Sequence, residues 1–142
     1  MLSVSTCRAI GLCRLFVHQV RIRISWAGGE AFGILGDTPT ARKVWSVLPC
    51  SSTANTWGEE VYFILPVRTE LEPDAQQVVP PGTICFWVHG QSMAIPFGPT
   101  PISQGSECRL VANVNVLGKL EGDPRVLKSL RDGDDIHVEV AS

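Results

Sequence analysis

The most restrictive feature of the sequence is a strict alternation of apolar and polar side chains that starts at residue 20. From Val20 to Trp26 every second residue is Val, Ile or Trp, and Arg, Arg and Ser lie between them. A period of two puts all the apolar side chains on one face of an extended chain, so it predicts a half-buried β-strand. Gly28 and Gly29 then predict a tight turn with positive φ angles. Residues 31–35 are expected to return beside the first strand as a hairpin.

The composition extends this prediction to the rest of the chain. Val, Ile and Thr outnumber Leu, Met and Lys, and the 142 residues include 13 Gly and 10 Pro. β-Branched residues favour strands, and Gly and Pro favour the turns between them. The length is that of one domain, and the charged fraction of 18% is too low for a coiled coil or a disordered chain. We therefore expect one compact domain made mostly of sheet.

The remaining segments predict two helices and five further strands. Asp37 or Thr38 is expected to cap a helix that has Pro39 just inside it and ends at Pro49. Residues 67–81 are rich in acidic residues, Gln and Pro, which predicts a surface loop. The strands are expected at residues 61–65, 83–88, 93–97, 109–116 and 136–140, and the second helix at residues 124–130.

The first nineteen residues differ from the rest of the chain. Met1–Gln19 contains two arginines, two cysteines and no acidic residue, and its apolar residues follow neither a helical nor a strand period. Arg8 and Arg14 interrupt the apolar run that a secretory signal would need. We therefore predict a basic extension at residues 1–19, either flexible or forming an added edge strand at residues 12–17, and a folded domain at residues 20–142.

Charge and cysteine content exclude several classes of protein. A formal net charge of −2 and a pI near 5.9 argue against a nucleic-acid or acidic-membrane partner. No apolar run is long enough for a membrane helix.

Five cysteines without a CxxC pair favour a reduced, cytoplasmic setting. The spacing of Cys85 and His89 would put both on one strand face, but two ligands are too few for structural zinc, so no metal and no cofactor are predicted.

One acidic pair stands where a strand begins. Glu59 and Glu60 follow Trp57 and Gly58 and precede the strand predicted at residues 61–65. Two neighbouring carboxyl groups can act as a general acid and base when their surroundings separate their pKa values. The sequence shows no neighbouring residue that would separate the two pKa values. We therefore interpret Glu59 and Glu60 as part of a solvated turn. The common nucleophile, phosphate-loop and dinucleotide motifs are absent.

Several segments resemble a known family. Val114–Gly122 reads V-N-V-L-G-K-L-E-G and resembles the V-V-F-G-K-V-x-E-G segment of cyclophilins. Asn55–Phe63, Gly98–Pro101 and Asn113–Lys119 look more like small bacterial and archaeal cyclophilin-like proteins of unassigned function. The resemblance covers residues 20–142. It implies a mainly β fold, a closed or nearly closed antiparallel cyclophilin-like β-barrel with two short helices covering its ends.

The resemblance also bears on catalysis. Cyclophilins are prolyl isomerases in which an arginine of an F-H-R-I-I-P strand contacts the substrate. When this strand is laid on Val61–Pro66, Phe63 stands at the arginine position. A phenyl ring cannot donate the arginine's hydrogen bond, so we do not expect an enzyme. The alternative is a weak peptidyl-prolyl cis-trans isomerase that uses Arg68 or Arg42 instead.

The function predicted from the sequence is therefore a non-enzymatic binding module. Its apolar groove would take a small molecule or an extended peptide, since apolar walls with a few polar groups are typical of such sites. The same aromatic residues would otherwise belong to the core, as a small domain must bury several of them. A homo-oligomeric or docking protein, using the extension and a strand edge, is a further alternative. The groove is expected to comprise Trp57, Glu59, Phe63, Trp87, His89, Gln91, Met93 and Phe97.

Overall fold

A computed structural model describes residues 19–141 of the chain. The predictions for residues 1–18, including the added strand at 12–17, lie outside the described residues. No helix in the described part is long and apolar enough to cross a membrane. The strands are β1 Val20–Trp26, β2 Gly29–Leu35, β3 Cys50–Thr53, β4 Asn55–Thr56, β5 Glu60–Ile64, β6 Gln76–Val79, β7 Thr83–Trp87, β8 Ser92–Pro96, β9 Cys108–Leu120 and β10 Asp135–Val140, and the helices are α1 Pro39–Ser46 and a 3₁₀ helix Pro124–Ser129.

The strands form a nearly closed antiparallel barrel. Their order is β3-β10-β1-β2-β9-β7-β8-β5-β4, with β6 attached to β9, and every pairing is antiparallel. The two ends of this order, β3 and β4, are joined by the single buried residue Ala54, so the sheet curls almost fully around. Closure removes edges that would otherwise pair with other chains. The predicted fold class, mainly β with two short helices, is confirmed.

Both helices contribute side chains to the interior core. Thr38 caps α1 by accepting a hydrogen bond from the Ala41 N–H at 3.1 Å, and Pro39 is the first helical residue, as predicted. Ala41 and Val44 of α1 are fully buried, as is Leu127 of the 3₁₀ helix at 1% exposure. The interior is otherwise filled by alternate residues of the strands: Ile22, Ile24, Leu35, Val61, Phe63, Ile84, Phe86, Met93, Ile95, Leu117, Ile136 and Val138.

The first hairpin forms, but its turn differs from the prediction. Trp26 pairs with Gly29, so the turn residues are Ala27 and Gly28, and neither glycine has a positive φ. The reason is the Trp26 indole, which packs beside the turn and donates from Nε1 to Ser129 Oγ at 2.8 Å. A Cβ on Gly29 would lie 3.2 Å from the Trp26 ring. Gly28 and Gly29 therefore leave space for the Trp26 side chain, and neither adopts a left-handed backbone conformation.

Three strands lie in segments where no strand was predicted. β3 and β4 fall within residues 50–56, which are small and mostly polar, and β6 falls within the predicted loop at residues 67–81. In β3 and β6 polar or exposed residues dominate, and only Val79 of β6 is buried. Their hydrogen-bond partners, β10 and β9, are distant in sequence. Without an apolar period, local sequence carries no signal for such strands.

The long strand β9 belongs to two layers. Its second half pairs with β7 and β2, whereas its first half pairs with β6. The first half of β9 and β6 together form a two-stranded ribbon over the outer face of β5, β7 and β8. A second, smaller apolar cluster lies beneath this ribbon, and the register irregularity between Ile84 and Cys85 accompanies the change of partner. The buried residues of this cluster are Val79, Cys85, Ala94, Leu110 and Val114.

Candidate functional site

A cleft opens beside this ribbon on the outer face of the barrel. It has a volume of about 190 Å³. A tight turn brings Trp57 and Glu60, two residues of the cleft, close together. The Trp57 N–H donates to the Glu60 carbonyl at 2.9 Å, and Gly58 between them has a φ of +60°. A Cβ at Gly58 would approach the Thr100 backbone to 2.9 Å, so this turn requires glycine. We call the cleft the aromatic pocket, and its lining is Trp57, Glu60, Tyr62, Trp87 and Val111.

Two aromatic rings form a right-angled corner in the pocket. The centroids of Tyr62 and Trp87 are 6.0 Å apart, and their planes meet at 86°. Edge-to-face pairs of this kind are a favourable arrangement that holds both rings in place. Both side chains are half-buried, as is Trp57. The pocket thus offers three aromatic surfaces to one small volume.

Glu60 supplies a charged group within this apolar setting. The alternation along β5 directs Val61 and Phe63 into the barrel, which leaves Glu60 and Tyr62 on the outer face. Glu60 is only 6% exposed, and its Oε1 is buried with no hydrogen-bond partner. Burial raises the pKa of this carboxyl from 4.5 to about 7. The interpretation of Glu60 as part of a solvated turn is therefore wrong.

Glu59 lies outside the pocket and is a surface residue. Its carboxylate is 4.0 Å from the Lys128 ammonium, and its side chain is 43% exposed. It also lies against Gly98, where a Cβ would collide with the carboxylate at 1.8 Å. The two neighbouring carboxyl groups therefore have opposite surroundings, because Glu60 is buried and Glu59 lies at the surface.

Two thiols lie close to Glu60 on the inner side of the ribbon. Cys85 is fully buried and Cys108 is 1% exposed. Burial raises the pKa of both thiols, and the negative charge of Glu60 adds to the effect in each case. Both thiols are thus neutral at physiological pH. They supply no positive charge that would compensate the Glu60 carboxylate.

The structure divides the eight residues that the sequence placed in one groove. Trp57 and Trp87 lie together in the aromatic pocket. Phe63 and Met93 are fully buried in the interior core, so they do not line a groove, which corrects the prediction for these two. Phe97 is partly buried and packs against the same core. The physical reason is strand alternation, which directs neighbouring side chains to opposite faces.

The remaining predicted residues lie on the hairpin between β7 and β8. His89 is exposed there, while Gln91 adopts a φ of 47° and accepts a hydrogen bond at its carbonyl from the Leu65 N–H at 3.0 Å. Both line a separate shallow hollow with Arg68. Cys85 is buried, so it does not share a face with His89. Among residues 19–141 no group of three or more potential ligands could hold a metal ion.

Sequence reasoning missed Glu60, Tyr62 and Val111. The sequence does contain a signal for Glu60 and Tyr62. A period of two along residues 60–64 puts both on one face of the strand, opposite Val61 and Phe63. Val111 has no such signal. It reaches the pocket only because β9 folds over the barrel, and that contact joins residues far apart in sequence.

A larger hollow lies elsewhere on the surface, next to β1, β3 and β10. It measures about 580 Å³. Two pairs of its polar side chains interact: Arg23 bonds Glu30 at 2.7 Å, and Ser51 Oγ lies 3.0 Å from His137 Nδ1. Among the described residues, the buried side-chain polar atoms without a partner are Trp45 Nε1 and Glu60 Oε1, and neither belongs to the lining of this hollow. For this reason we regard the smaller aromatic pocket as the stronger candidate site.

The fold and the pocket define a small antiparallel barrel with an aromatic site on its outer face, and comparison with known proteins gives the family. A family model described as cyclophilin-like matches residues 18–139, and this chain belongs to the cyclophilin-like family. The chain is similar to a hypothetical protein from Archaeoglobus fulgidus whose structure was determined in solution. The two are 36% identical over 87% of this chain and 95% of that chain, with a TM-score of 0.76. No curated protein matches the chain.

Proposed function

We propose that this protein is a non-enzymatic binding module whose site is the aromatic pocket. One observation carries the proposal: three aromatic side chains and one buried, unpaired carboxyl group converge on a single cleft. Such a combination of apolar walls with a single directing polar group is typical of small-ligand sites. The occupant is a small molecule or one side chain of an extended peptide.

The size of the pocket limits what it holds. Its volume of about 190 Å³ lies below the roughly 300–1,000 Å³ of drug-sized sites. It therefore takes a short group, and any longer ligand must continue across the surface. Val111 at the rim is 52% exposed, and Ile64, which follows Tyr62 on the outer face of β5, is 63% exposed. These side chains offer an apolar path for the rest of a peptide or an alkyl chain.

Isomerase activity is not part of the proposal. Phe63, at the position of the family's catalytic arginine, points into the core, and the outward residues of β5 are Glu60, Tyr62 and Ile64. None of them carries a guanidinium. Of the two proposed substitutes, Arg42 is paired with Asp37 and Arg68 lines the separate hollow beside His89.

Tryptophan fluorescence tests the proposal. Ligands that enter the pocket should quench or shift the emission of Trp57 and Trp87 in a saturable way, because both rings line it. The screen uses short alkyl and aromatic molecules that carry one polar group. Trp57→Phe and Trp87→Phe should each reduce the response, whereas Trp45→Phe, on α1 and outside the pocket, should leave it unchanged. A response lost equally in all three variants, or no saturable response, contradicts the proposal.

A further inference from the structure

Among the residues that line the pocket, only Glu60 has a fully buried side-chain polar atom without a hydrogen-bond partner. In folded proteins, buried side-chain oxygens almost always accept a hydrogen bond, and those that do not call for an explanation. Among the described residues, no hydrogen bond or ion pair reaches this carboxyl, and its Oε1 is fully enclosed. A buried charge without a counter-ion is the least stable arrangement of all. The site is therefore incomplete in the protein alone.

The groups that face Glu60 from each neighbouring element are neutral or negative. Tyr62 follows it on β5, Cys85 lies on β7, Cys108 lies on β9, and Glu59 precedes it in the turn. The three aromatic rings that line the pocket also have partial negative charge on their faces. Of the cations nearby, Lys128 lies next to Glu59, and Arg109 is paired with Glu107 at 2.6 Å. Among the described residues, no cation therefore forms an ion pair with the Glu60 carboxyl group.

We infer that the aromatic pocket binds the ammonium group of an alkylammonium ligand, with Glu60 as its counter-ion and Trp57, Tyr62 and Trp87 as its walls. The inference rests on the proposed binding function and specifies the ligand class. The ammonium group belongs either to a free amine or to a lysine side chain, since both offer the same chemistry at the end of a short alkyl chain.

Three properties of an ammonium group match three properties of the pocket. Its N–H groups donate hydrogen bonds, which Glu60 Oε2 can accept, since Oε1 is the oxygen of this carboxyl that is fully enclosed. Its charge is attracted to the faces of aromatic rings, and Trp57, Tyr62 and Trp87 line the cleft. Its small size suits a cleft of about 190 Å³. The Glu60 carboxylate repels an anion, and a neutral alcohol leaves the charge uncompensated.

Binding should depend on pH in a specific direction. A cation favours the ionised carboxylate, but burial holds the pKa of Glu60 at about 7 in the free protein. Below that pH the ligand must displace a proton, so affinity should fall by about tenfold per pH unit. The amine itself stays protonated up to about pH 10. Burial raises the pKa of the Cys85 and Cys108 thiols, so these two groups remain neutral in this range and do not contribute to the change.

Titrations of n-butylammonium and n-butanol, followed by calorimetry, test the inference. The two have nearly the same shape, and only one is charged. n-Butylammonium should bind near pH 8, and its affinity should fall by about tenfold near pH 6, whereas n-butanol should bind more weakly and without pH dependence. Glu60→Gln should abolish the preference for the cation. Glu59→Gln, which removes an equal charge one residue away and outside the pocket, should keep it.

The outcomes separate this inference from the proposed function. If n-butanol binds as tightly as n-butylammonium, or if Glu60→Gln binds the cation as well as the wild type does, the ammonium inference fails while the pocket remains a binding site. If neither compound binds and the fluorescence screen is also flat, both fail. The pH profile of the wild type needs no variant. Binding of a peptide with one internal lysine, compared with its norleucine counterpart, then distinguishes a lysine side chain from a free amine as the source.

Discussion

Glu60 and Glu59 are chemically identical neighbours with opposite surroundings. Glu60 begins β5 on the outer face and is buried, whereas Glu59 lies in the turn beside Lys128. One step along an extended chain reverses the direction of a side chain, and here it decides between burial and solvent. At the residue scale, the candidate site therefore depends on the register of a single strand.

The burial of Glu60 predicts a pH-dependent loss of stability. Its pKa is about 7 in the folded state and near 4.5 when unfolded. Below about pH 4.5 the group is protonated in both states and has no effect. As the pH rises to 7, the unfolded state releases its proton first, so the free energy of unfolding falls by up to roughly 3 kcal/mol and stays low above that. Glu60→Gln lacks this loss.

Urea unfolding of the wild type and of Glu60→Gln across this pH range checks that prediction. The variant should be about as stable as the wild type near pH 4.5 and more stable near pH 8. Glu59→Gln, whose carboxylate is exposed, should follow the wild type. Parallel pH profiles for the wild type and Glu60→Gln would show that the carboxyl is not held in an apolar site.

Two tryptophans outside the pocket differ in one hydrogen bond. Trp26 Nε1 donates to Ser129 Oγ at 2.8 Å, whereas Trp45 Nε1 is buried without a partner. Replacing either by Phe removes the indole N–H, but only Trp26→Phe breaks a hydrogen bond. Trp26→Phe should therefore lower the free energy of unfolding by about 1 kcal/mol more than Trp45→Phe does. Equal losses in urea unfolding would contradict this account.

At the element scale, β9 connects the barrel to the ribbon beside the pocket. Its second half contains Gly118, where a Cβ would lie 1.8 Å from the Ile34 carbonyl oxygen of β2. Asn115, at the change of partner, is fully buried and bonds residues of both α1 and the loop before β6. The segment that resembles cyclophilins thus contains the two residues that fix how β9 packs against its neighbours.

Gly118→Ala should be strongly destabilising. The new methyl group would collide with the backbone of β2, which cannot move without breaking its pairing with β1. We expect a loss of about 3 kcal/mol or more in urea unfolding. Gly36→Ala is the matched control, because its Cβ would lie 3.7 Å from the Leu117 carbonyl oxygen and its φ is not positive. Similar losses in both variants would contradict the close approach.

Asn115→Ala should also be costly, for a different reason. Asn115 Nδ2 donates to Thr40 Oγ1 and to the Glu70 carbonyl, each at 2.9 Å, and its Oδ1 accepts from the Glu72 N–H at 2.8 Å. Its loss leaves buried groups unpaired, so we expect a loss of about 2–4 kcal/mol in urea unfolding. Asn113→Ala, exposed on the same strand, should change stability by less than about 0.5 kcal/mol. Equal effects would contradict the role of the buried network.

The sequence predicted the elements whose signals are local. The period of two from Val20 to Trp26 and the Thr38–Pro39 cap both predicted elements that the structure contains, because such patterns act within a few residues. β6 and the ribbon could not be predicted in this way, since they depend on contacts between distant residues. The site shows the same division: Trp57 and Trp87 were predicted, while Val111 depends on the path of β9.

At the scale of the whole molecule, the barrel and the site are largely separate structures. The interior core fills the barrel and includes Phe63 and Met93, whereas the aromatic pocket lies on the outer face, where Tyr62 and Trp87 pack against the second, smaller cluster. A closed barrel holds its outer strands rigidly, which suits a site that needs three rings and a carboxyl in fixed positions. Substitutions within the pocket should therefore alter binding with little effect on the fold.

The central claim is that an alkylammonium group occupies the pocket beside Glu60, and the indole N–H signals of the four tryptophans test it most directly. In ¹H–¹⁵N spectra of the full chain near pH 8, titration with n-butylammonium should shift the signals of Trp57 and Trp87 in a saturable way, because cation and ring contact each other. The signals of Trp26 and Trp45 should stay in place. No saturable shift, or shifts confined to Trp26 and Trp45, would contradict the account.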